Sequence, residues 1–254
     1  MTKYQLDMTV VANDVAGSYH LLKLAPADGR LLPEMAPGQF VEVDVPDSKT
    51  TFLRRPISIN NIDRTDNTLW LLVRNAGAGT AALCCVETGA VVNIVAPLGN
   101  GFSLNAARPL LIGGGVGIAP LLYLARKYNE NNVRPTLILG ARSKGDLALI
   151  DEFRAVGDVC FTTEDGSLGV KGFVTMSDAF TADHDLVQCC GPMPMMKAVA
   201  ERARVLGVEC EVSLENMMAC GLGACLCCVE KDNNGHNVCV CSEGPVFNIN
   251  RLSW

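Results

Sequence analysis

Six of the chain's twelve cysteines lie between Cys220 and Cys241. They fall in Cys-Gly-Leu-Gly-Ala-Cys-Leu-Cys-Cys and, after a short polar connection, in Cys-Val-Cys-Ser-Glu-Gly-Pro-Val-Phe. The spacing C-x4-C-x2-C picks out Cys220, Cys225 and Cys228, with a fourth thiolate on offer at Cys239 or Cys241. This is the plant-type [2Fe-2S] pattern. A rhombic cluster needs four thiolates converging from a loop wrapped closely around it, and Gly221 and Gly223 let the backbone turn and approach. Zinc is the competing reading. It would take two knuckles, Cys225/Cys228 and Cys239/Cys241, and would leave Cys220 and the glycines without a purpose. A disulfide framework suits a small exported domain, whereas this chain has 254 residues and no export signal is visible at its start.

Two further stretches have residue types suited to phosphate. In Leu53-Arg54-Arg55-Pro56-Ile57-Ser58-Ile59 a guanidinium on a proline-stiffened strand can grip a pyrophosphate bidentately; a solvated arginine pair is the plain alternative. In Arg74-Asn75-Ala76-Gly77-Ala78-Gly79-Thr80, ahead of a helical stretch from Ala81 to Glu87, a glycine-rich turn presents free N–H groups at a helix start. The alternative there is a hairpin with Thr80 as a simple N-cap. A third stretch, Leu110-Leu111-Ile112 followed by Gly113-Gly114-Gly115-Val116-Gly117 and a helix over Ile118 to Tyr128, reads as strand, tight loop and helix. Pro120 occupies the third glycine position, so it is a weak dinucleotide fingerprint on its own.

The elements that must position these residues change character along the chain. Gln5–Val11, Ser18–Lys23, Gln39–Val45, Thr68–Val73 and Val91–Val95 are short strands between turns, which suggests a small antiparallel barrel. From Pro109 strands at Thr136–Gly140, Val159–Thr163 and Leu186–Cys190 alternate with helices near Leu147–Val156, Gly172–Ala179 and Pro194–Leu206, the pattern of a doubly wound parallel sheet. Ligands bind such sheets at the carboxyl ends of the strands, where Gly140-Ala141-Arg142-Ser143, Glu164-Asp165-Gly166-Ser167 and Cys190-Gly191-Pro192-Met193 fall. Arg142 suits a 2′-phosphate and no acidic residue stands there for a ribose hydroxyl; NAD and NADP both stay open, as does a solvated arginine. Cys190 is equally readable as a small core residue. The expected division is 1–104 barrel, 105–208 nucleotide domain and 209–254 cluster domain.

The barrel and nucleotide stretches resemble the ferredoxin reductase superfamily. The resemblance maps Arg55, Pro56, Ile57 and Ser58 onto the R-P-[IL]-S flavin element, Gly79 and Thr80 onto its later Gly-Thr, and makes Leu72, Val73 and Arg74 a strand passing FAD. It maps Gly-Gly-Gly-x-Gly-Ile-x-Pro-Leu, with Gly114, Gly115 and Gly117, onto the nicotinamide domain, and Cys190, Gly191 and Pro192 onto a signature beside the nicotinamide and flavin rings. With the cysteine loop included, all 254 residues resemble the electron-transfer subunits of type B dihydroorotate dehydrogenase. That resemblance makes the fourth cluster ligand Cys241, three residues before Gly-Pro-Val-Phe. It implies FAD, a [2Fe-2S] cluster and NAD as cofactors, and an FMN-containing catalytic partner in a two-plus-two heterotetramer of pyrimidine biosynthesis. Electrons would cross the cluster singly to FAD and leave as hydride to NAD⁺.

The rest of the chain excludes other chemistry. His20, His184 and His236 stand in unrelated contexts, and there is no G-x-S-x-G, H-E-x-x-H or P-loop, so no catalytic side chain is expected and cofactors must do the chemistry. No apolar run reaches a membrane span and a net charge of −6 gives no nucleic-acid footprint; a reducing cytoplasm suits the cysteines. Two alternatives remain: a diaphorase-type subunit of a sulfide dehydrogenase or NAD(P)H:ferredoxin oxidoreductase, and a cysteine-rich zinc or scaffold protein.

Overall fold

A computed structural model describes residues 2–45, 48 and 51–254. The first six strands are β1 (Tyr4–Ala16), β2 (Tyr19–Pro26), β3 (Phe40–Val43), β4 (Arg55–Asp63), β5 (Thr68–Arg74) and β6 (Val91–Leu98). They close into a barrel in the order β1-β2-β5-β4-β3-β6, every pair antiparallel. Alternation explains the closure. Val41 and Val43 of β3 point inward with Met8, Val10, Leu22, Ile59, Leu71 and Ile94, while Phe40 and Glu42 take the outer face. A bulge between Val10 and Ala12 bends β1 as it runs between β6 and β2. The short helix α1 (Ala78–Cys84) starts three residues earlier than the sequence suggests, with Gly77 and not Thr80 as its cap.

The second sheet begins with β7 (Pro109–Gly114). A 3₁₀ turn over Gly115–Ile118 then leads into α2 (Ala119–Glu130), followed by β8 (Thr136–Ala141), α3 (Ile150–Val156), β9 (Asp158–Thr163) and β10 (Val170–Lys171). After β11 (Leu186–Cys190), α4 (Met193–Leu206) and β12 (Glu209–Ser213), the chain leaves the sheet. It makes the hairpin β13 (Val229–Lys231) and β14 (Asn237–Cys239) and the single turn α5 (Val240–Glu243), then returns as β15 (Val246–Asn248). The sheet order is β10-β9-β8-β7-β11-β12-β15, parallel except for β15. The direction of winding reverses between β7 and β11, so a crevice opens at their carboxyl ends.

Two expected helices are corrected. Only a 3₁₀ turn over Val174–Met176 forms within Gly172–Ala179, because Gly172 sits at φ 128 against Met176. The helix expected from Leu147 begins at Ile150, since Leu149 is left-handed with φ 56 and breaks any earlier turn. Barrel and sheet pack tightly: Asn60 Nδ2 donates to Ala119 O at 2.9 Å, Tyr123 OH to Met35 O at 3.0 Å, and Trp70 lies between Lys23 and Arg126. On the other side Phe40 and Leu98, facing out of the barrel, share a core with Cys228, Val240, Cys241 and Phe247.

Candidate iron-sulfur, flavin and nucleotide sites

The cysteine loop is built by left-handed glycines, Gly221 at φ 65 and Gly223 at φ 83, which turn backbone N–H groups onto sulfur. Cys220 Sγ accepts from Leu222 N at 3.3 Å and Cys225 N at 3.4 Å. Cys241 Sγ accepts from Gly223 N at 3.1 Å, and Cys228 Sγ accepts from Cys241 N at 3.3 Å. Burial opposes ionisation of Cys220, but the N–H groups of Leu222, Cys225 and Ala224 outweigh it and bring the thiol down to about 6. Cys241 is pushed up to about 12 by burial and by its neighbour Cys228. The sulfurs therefore fall into two pairs, Cys220 with Cys225 and Cys228 with Cys241. Among the described residues no group of three or more His, Cys, Asp or Glu side chains converges as one metal ion would require. A [2Fe-2S] cluster takes two thiolates on each iron, which two such pairs would supply. Cys227 is exposed, and Cys239, half-buried at the end of β14, gives its N–H to Glu243 Oε1 at 3.0 Å.

Most of the flavin-type residues line a cleft of about 180 Å³; Arg55, Val73 and Gly79 are not among its lining residues. Pro56, Ile57 and Ser58 of β4, Leu72 and Arg74 of β5 and Thr80 of α1 form the barrel wall; Gly117 and Cys190 face them from the sheet. Val73 points into the barrel core, which leaves only its backbone to pass the cleft. The two arginines differ. Arg54 is committed to the barrel, donating to Asn93 O at 2.9 Å and Asn93 Oδ1 at 2.6 Å. Arg55 uses Nε on Arg54 O at 2.9 Å, and among the described residues its terminal nitrogens hold no hydrogen bond. Its methylenes cross Gly79, where an added Cβ would stand 2.8 Å from Arg55 Cδ. The Thr80 hydroxyl is spent within its own turn, accepting from Ala76 N and Gly77 N and donating to Gly77 O. Thr80 thus shapes the loop.

Of the nucleotide-type residues, Gly114, Gly115 and Pro192 line a larger cleft of about 650 Å³ at the carboxyl ends of β7, β8, β9 and β11, whereas Gly117 and Cys190 line the smaller one and Gly191 lines neither. Gly114 and Gly115 form the floor of the larger cleft with Pro192, while Arg142, Thr162, Glu164 and Phe173 stand around it. Gly117 and Gly191 explain the close approach of loop to strand: a Cβ on Gly117 would lie 2.5 Å from Cys190 O and from Gly191 Cα. Cys190 is pushed up to about 12 by burial, with Glu215 adding to the effect and Ser213 opposing it, so its thiol stays protonated and is no nucleophile. Asp146 holds the rim, accepting from Ser18 Oγ at 2.8 Å and Ser143 Oγ at 2.9 Å; those hydroxyls keep its carboxyl below the usual range. Arg74 lines both clefts, so they adjoin.

Sequence reasoning missed two features. Leu214, Glu215, Asn216 and Met218, just upstream of Cys220, wall the flavin cleft. Glu42 is 1% exposed, has no hydrogen bond to either carboxylate oxygen among the described residues, and packs against Gly221. Its signal was a lone acid in Phe-Val-Glu-Val.

A family model described as the iron-sulfur cluster binding domain of dihydroorotate dehydrogenase B matches residues 215–253, and one for an oxidoreductase NAD-binding domain matches residues 111–201. The dihydroorotate dehydrogenase B (NAD(+)) electron transfer subunit of Shouchella clausii (strain KSM-K16) is 40% identical, with 99% of each chain covered. The chain belongs to that family. Its counterpart in Lysinibacillus sphaericus (strain C3-41) is 40% identical over 86% of this chain and 88% of its own. Among solved structures, an NADH-dependent reduced ferredoxin-NADP oxidoreductase superposes with a TM-score of 0.84 at 30% identity, covering 97% of this chain and 90% of its own. Phthalate dioxygenase reductase, at 22% identity and a TM-score of 0.63 over 79% of this chain and 64% of its own, shares the fold. The electron transfer subunit family and the barrel-plus-sheet architecture expected from the cysteine loop and the Arg-Pro-Ile-Ser stretch are therefore both borne out.

Proposed function

We propose that the chain carries electrons between the FMN of a catalytic dihydroorotate dehydrogenase subunit and NAD⁺, by way of a [2Fe-2S] cluster and FAD, in pyrimidine biosynthesis. The observation that carries this reading is one cleft walled by three separate stretches: Pro56–Ser58 of the barrel, Gly117 and Cys190 of the sheet, and Leu214–Met218, which runs directly into Cys220. A flavin seated there touches the nicotinamide side through one wall and the cluster loop through another. When bound, the cluster passes single electrons and the flavin pairs them for hydride exchange with nicotinamide.

The chain's own residues bind and shield. Cys220, Cys225, Cys228 and Cys241 would hold the two irons, and the burial of Cys228 and Cys241 would keep water from their side of the cluster. Arg55 pairs with the flavin pyrophosphate over Gly79; Ile57 and Ser58 border the ring, and Leu72 and Arg74 the strand beside it. Gly114, Gly115 and Gly117 let the nucleotide approach the backbone, and Cys190, Gly191 and Pro192 close the space between the two clefts. The three functional stretches are 1–104, 105–208 and 209–254, the last lending β12 and β15 to the sheet of the second. Exposed Met217, Leu222 and Leu226 around the loop offer an apolar face for the partner, in a complex of two chains of each kind. No helix among the described residues is long and apolar enough to cross a membrane, and all twelve cysteines are free, which supports a reducing cytoplasm.

The deciding experiment purifies the chain anaerobically with an FMN-containing dihydroorotate dehydrogenase. Near-stoichiometric FAD, two irons per chain and NAD⁺ reduction by dihydroorotate are expected. Zinc without flavin would sink the reading. The likeness to a reduced ferredoxin-NADP oxidoreductase favours one second reading, a diaphorase subunit, and activity with ferredoxin or sulfide alone would establish it.

A further inference from the structure

Glu42 stands on the outer face of β3, between its neighbours Pro56 on β4 and Val95 on β6, and beneath the cysteine loop. A Cβ on Gly221 would lie 2.8 Å from its Cγ and 3.0 Å from Oε1. The side chain is thus trapped between the strand that bears Arg55 and the loop that bears Cys220. It is 1% exposed, and among the described residues neither oxygen has a hydrogen-bond partner. A carboxylate left this way in a dry place is costly, and the relief available to it is a proton. Burial pushes it up to about 7; Arg55 and Arg54 pull it down, and Cys220 pushes it up. Those three are the charged groups that face it, from β4 and from the loop. Neither arginine bonds to its carboxylate: Arg54 is committed to Asn93 and to Glu42's own carbonyl oxygen, and Arg55 turns Nε to Arg54 O.

We infer that Glu42 is the proton partner of the iron-sulfur cluster, taking up one proton from solvent when the cluster gains an electron and returning it when the electron leaves. This rests on the cluster reading of the cysteine loop. The balance is simple: one electron arrives from a one-electron donor, reduced flavin in turnover or dithionite on the bench, and one proton neutralises the carboxylate. Reduction adds a negative charge beside a carboxylate that already lacks partners, so the affinity of Glu42 for its proton must rise; by linkage, protonation must favour reduction equally. A pyrophosphate on Arg55 would neutralise the nearest positive charge and strengthen the same tendency. Glu42 touches neither substrate nor the reacting atoms. It is a positioning residue that acts through the potential of the cluster.

The test is a redox titration of the cluster, followed by its electron paramagnetic resonance signal, in the anaerobically purified, FAD-loaded chain at several values between about pH 6 and pH 9. The potential of the unsubstituted protein should fall as pH rises. Its slope should approach the equivalent of a tenfold change per pH unit, about 59 mV for one electron. In Glu42→Gln the slope should flatten, with a potential above that of the parent at the alkaline end, where the carboxylate charge is missing, and converging with it at the acid end. Glu42→Asp should keep a slope with a displaced window. A flat profile in the unsubstituted protein overturns the inference whether or not any variant folds, and so does an unchanged slope in Glu42→Gln. A protein lacking both iron and the resonance signal overturns the cluster reading, and the inference with it.

Discussion

Two groups of cysteines in this molecule share a side chain and little else. Cys189, Cys190 and Cys210 sit in adjacent parallel strands, where every nearby N–H is spent on the ladder of β7, β11 and β12. Burial pushes the thiols of Cys190 and Cys210 up to about 12 and raises that of Cys189 well above its ordinary value. Cys220 lies in a glycine-bearing loop whose N–H groups have no ladder to join. They turn to sulfur instead, and the same thiol falls to about 6. Whether a cysteine becomes a ligand or a piece of core is decided by where the backbone donors around it are committed.

The largest break in that contrast comes from changing the loop sulfurs. Cys225→Ser or Cys228→Ser should abolish iron binding and electron exchange with the catalytic partner, while NADH still bleaches the flavin; iron assay and flavin absorbance check both. Loss of both functions at once would mean that loop and clefts do not work as separate modules. Cys189→Ser should keep the iron. It should cost about 1–3 kcal/mol in a denaturant titration, the penalty of a hydroxyl in a strand with no free partner.

Next in size is the backbone that frees the donors. Gly221→Ala places a Cβ at φ 65 against the Glu42 side chain and Leu98 Cδ1. Iron occupancy should drop, with about 1–2 kcal/mol lost in stability from left-handed strain and the contacts together. Gly235→Ala in the β13–β14 hairpin has φ 79 but open space around the added Cβ, and should cost less and keep the cluster. Equal iron loss in both would show that strain alone, and not the fit of the loop to Glu42, governs assembly.

What could be read in the sequence divides along the same line. Thiolates around two irons and glycines under a phosphate need fixed residue types at fixed spacing, so Cys220 to Cys241, Arg55 to Ser58 and Gly113 to Gly117 stand out in a linear string. The barrel and the parallel sheet followed from period-two strands and their later alternation with helices. What stayed hidden was made by distant segments meeting. β12 and β15 are short strands whose place in the sheet exists only once β11 is beside them. Leu214 to Met218 wall the flavin cleft because β12 delivers them there, and Glu42 is isolated only because the cysteine loop closes over it. Helix boundaries failed where one dihedral decided them, at Leu149 and Gly172.

A smaller effect sharpens the comparison in the iron-free protein. At pH 7 Cys220 should be mostly thiolate, whereas the thiolate fraction of Cys190 should be lower by roughly five orders of magnitude, given that each pH unit is tenfold. Iodoacetamide labelling read by mass spectrometry should mark Cys220 within the time that leaves Cys190 untouched, with the Cys220 rate half-maximal at about pH 6. The sign follows from the thiolate being the nucleophile: labelling rises with pH through the thiol's pKa and levels off above it. A Cys220 rate that keeps climbing to alkaline pH would mean that the loop N–H groups do not hold their geometry without iron.

The smallest expected effect belongs to the two loop cysteines that stand outside the sulfur pairs, Cys227 and Cys239. Cys227 is exposed, and its sulfur receives no backbone N–H among the described residues; Cys239 commits its own N–H to Glu243, and its sulfur receives none either. Cys225 receives no N–H either, but its sulfur pairs with that of Cys220; Cys227 and Cys239 lack such a pairing, and on that ground neither is expected to be a ligand. Cys227→Ser and Cys239→Ser should each retain two irons and change stability by no more than about 0.5 kcal/mol. Cys241→Ser, two residues from Cys239, should lose the cluster. If Cys239→Ser lost iron while Cys241→Ser kept it, the fourth ligand would be a sulfur outside the two pairs, and sulfur pairing would no longer distinguish ligand from bystander in this loop.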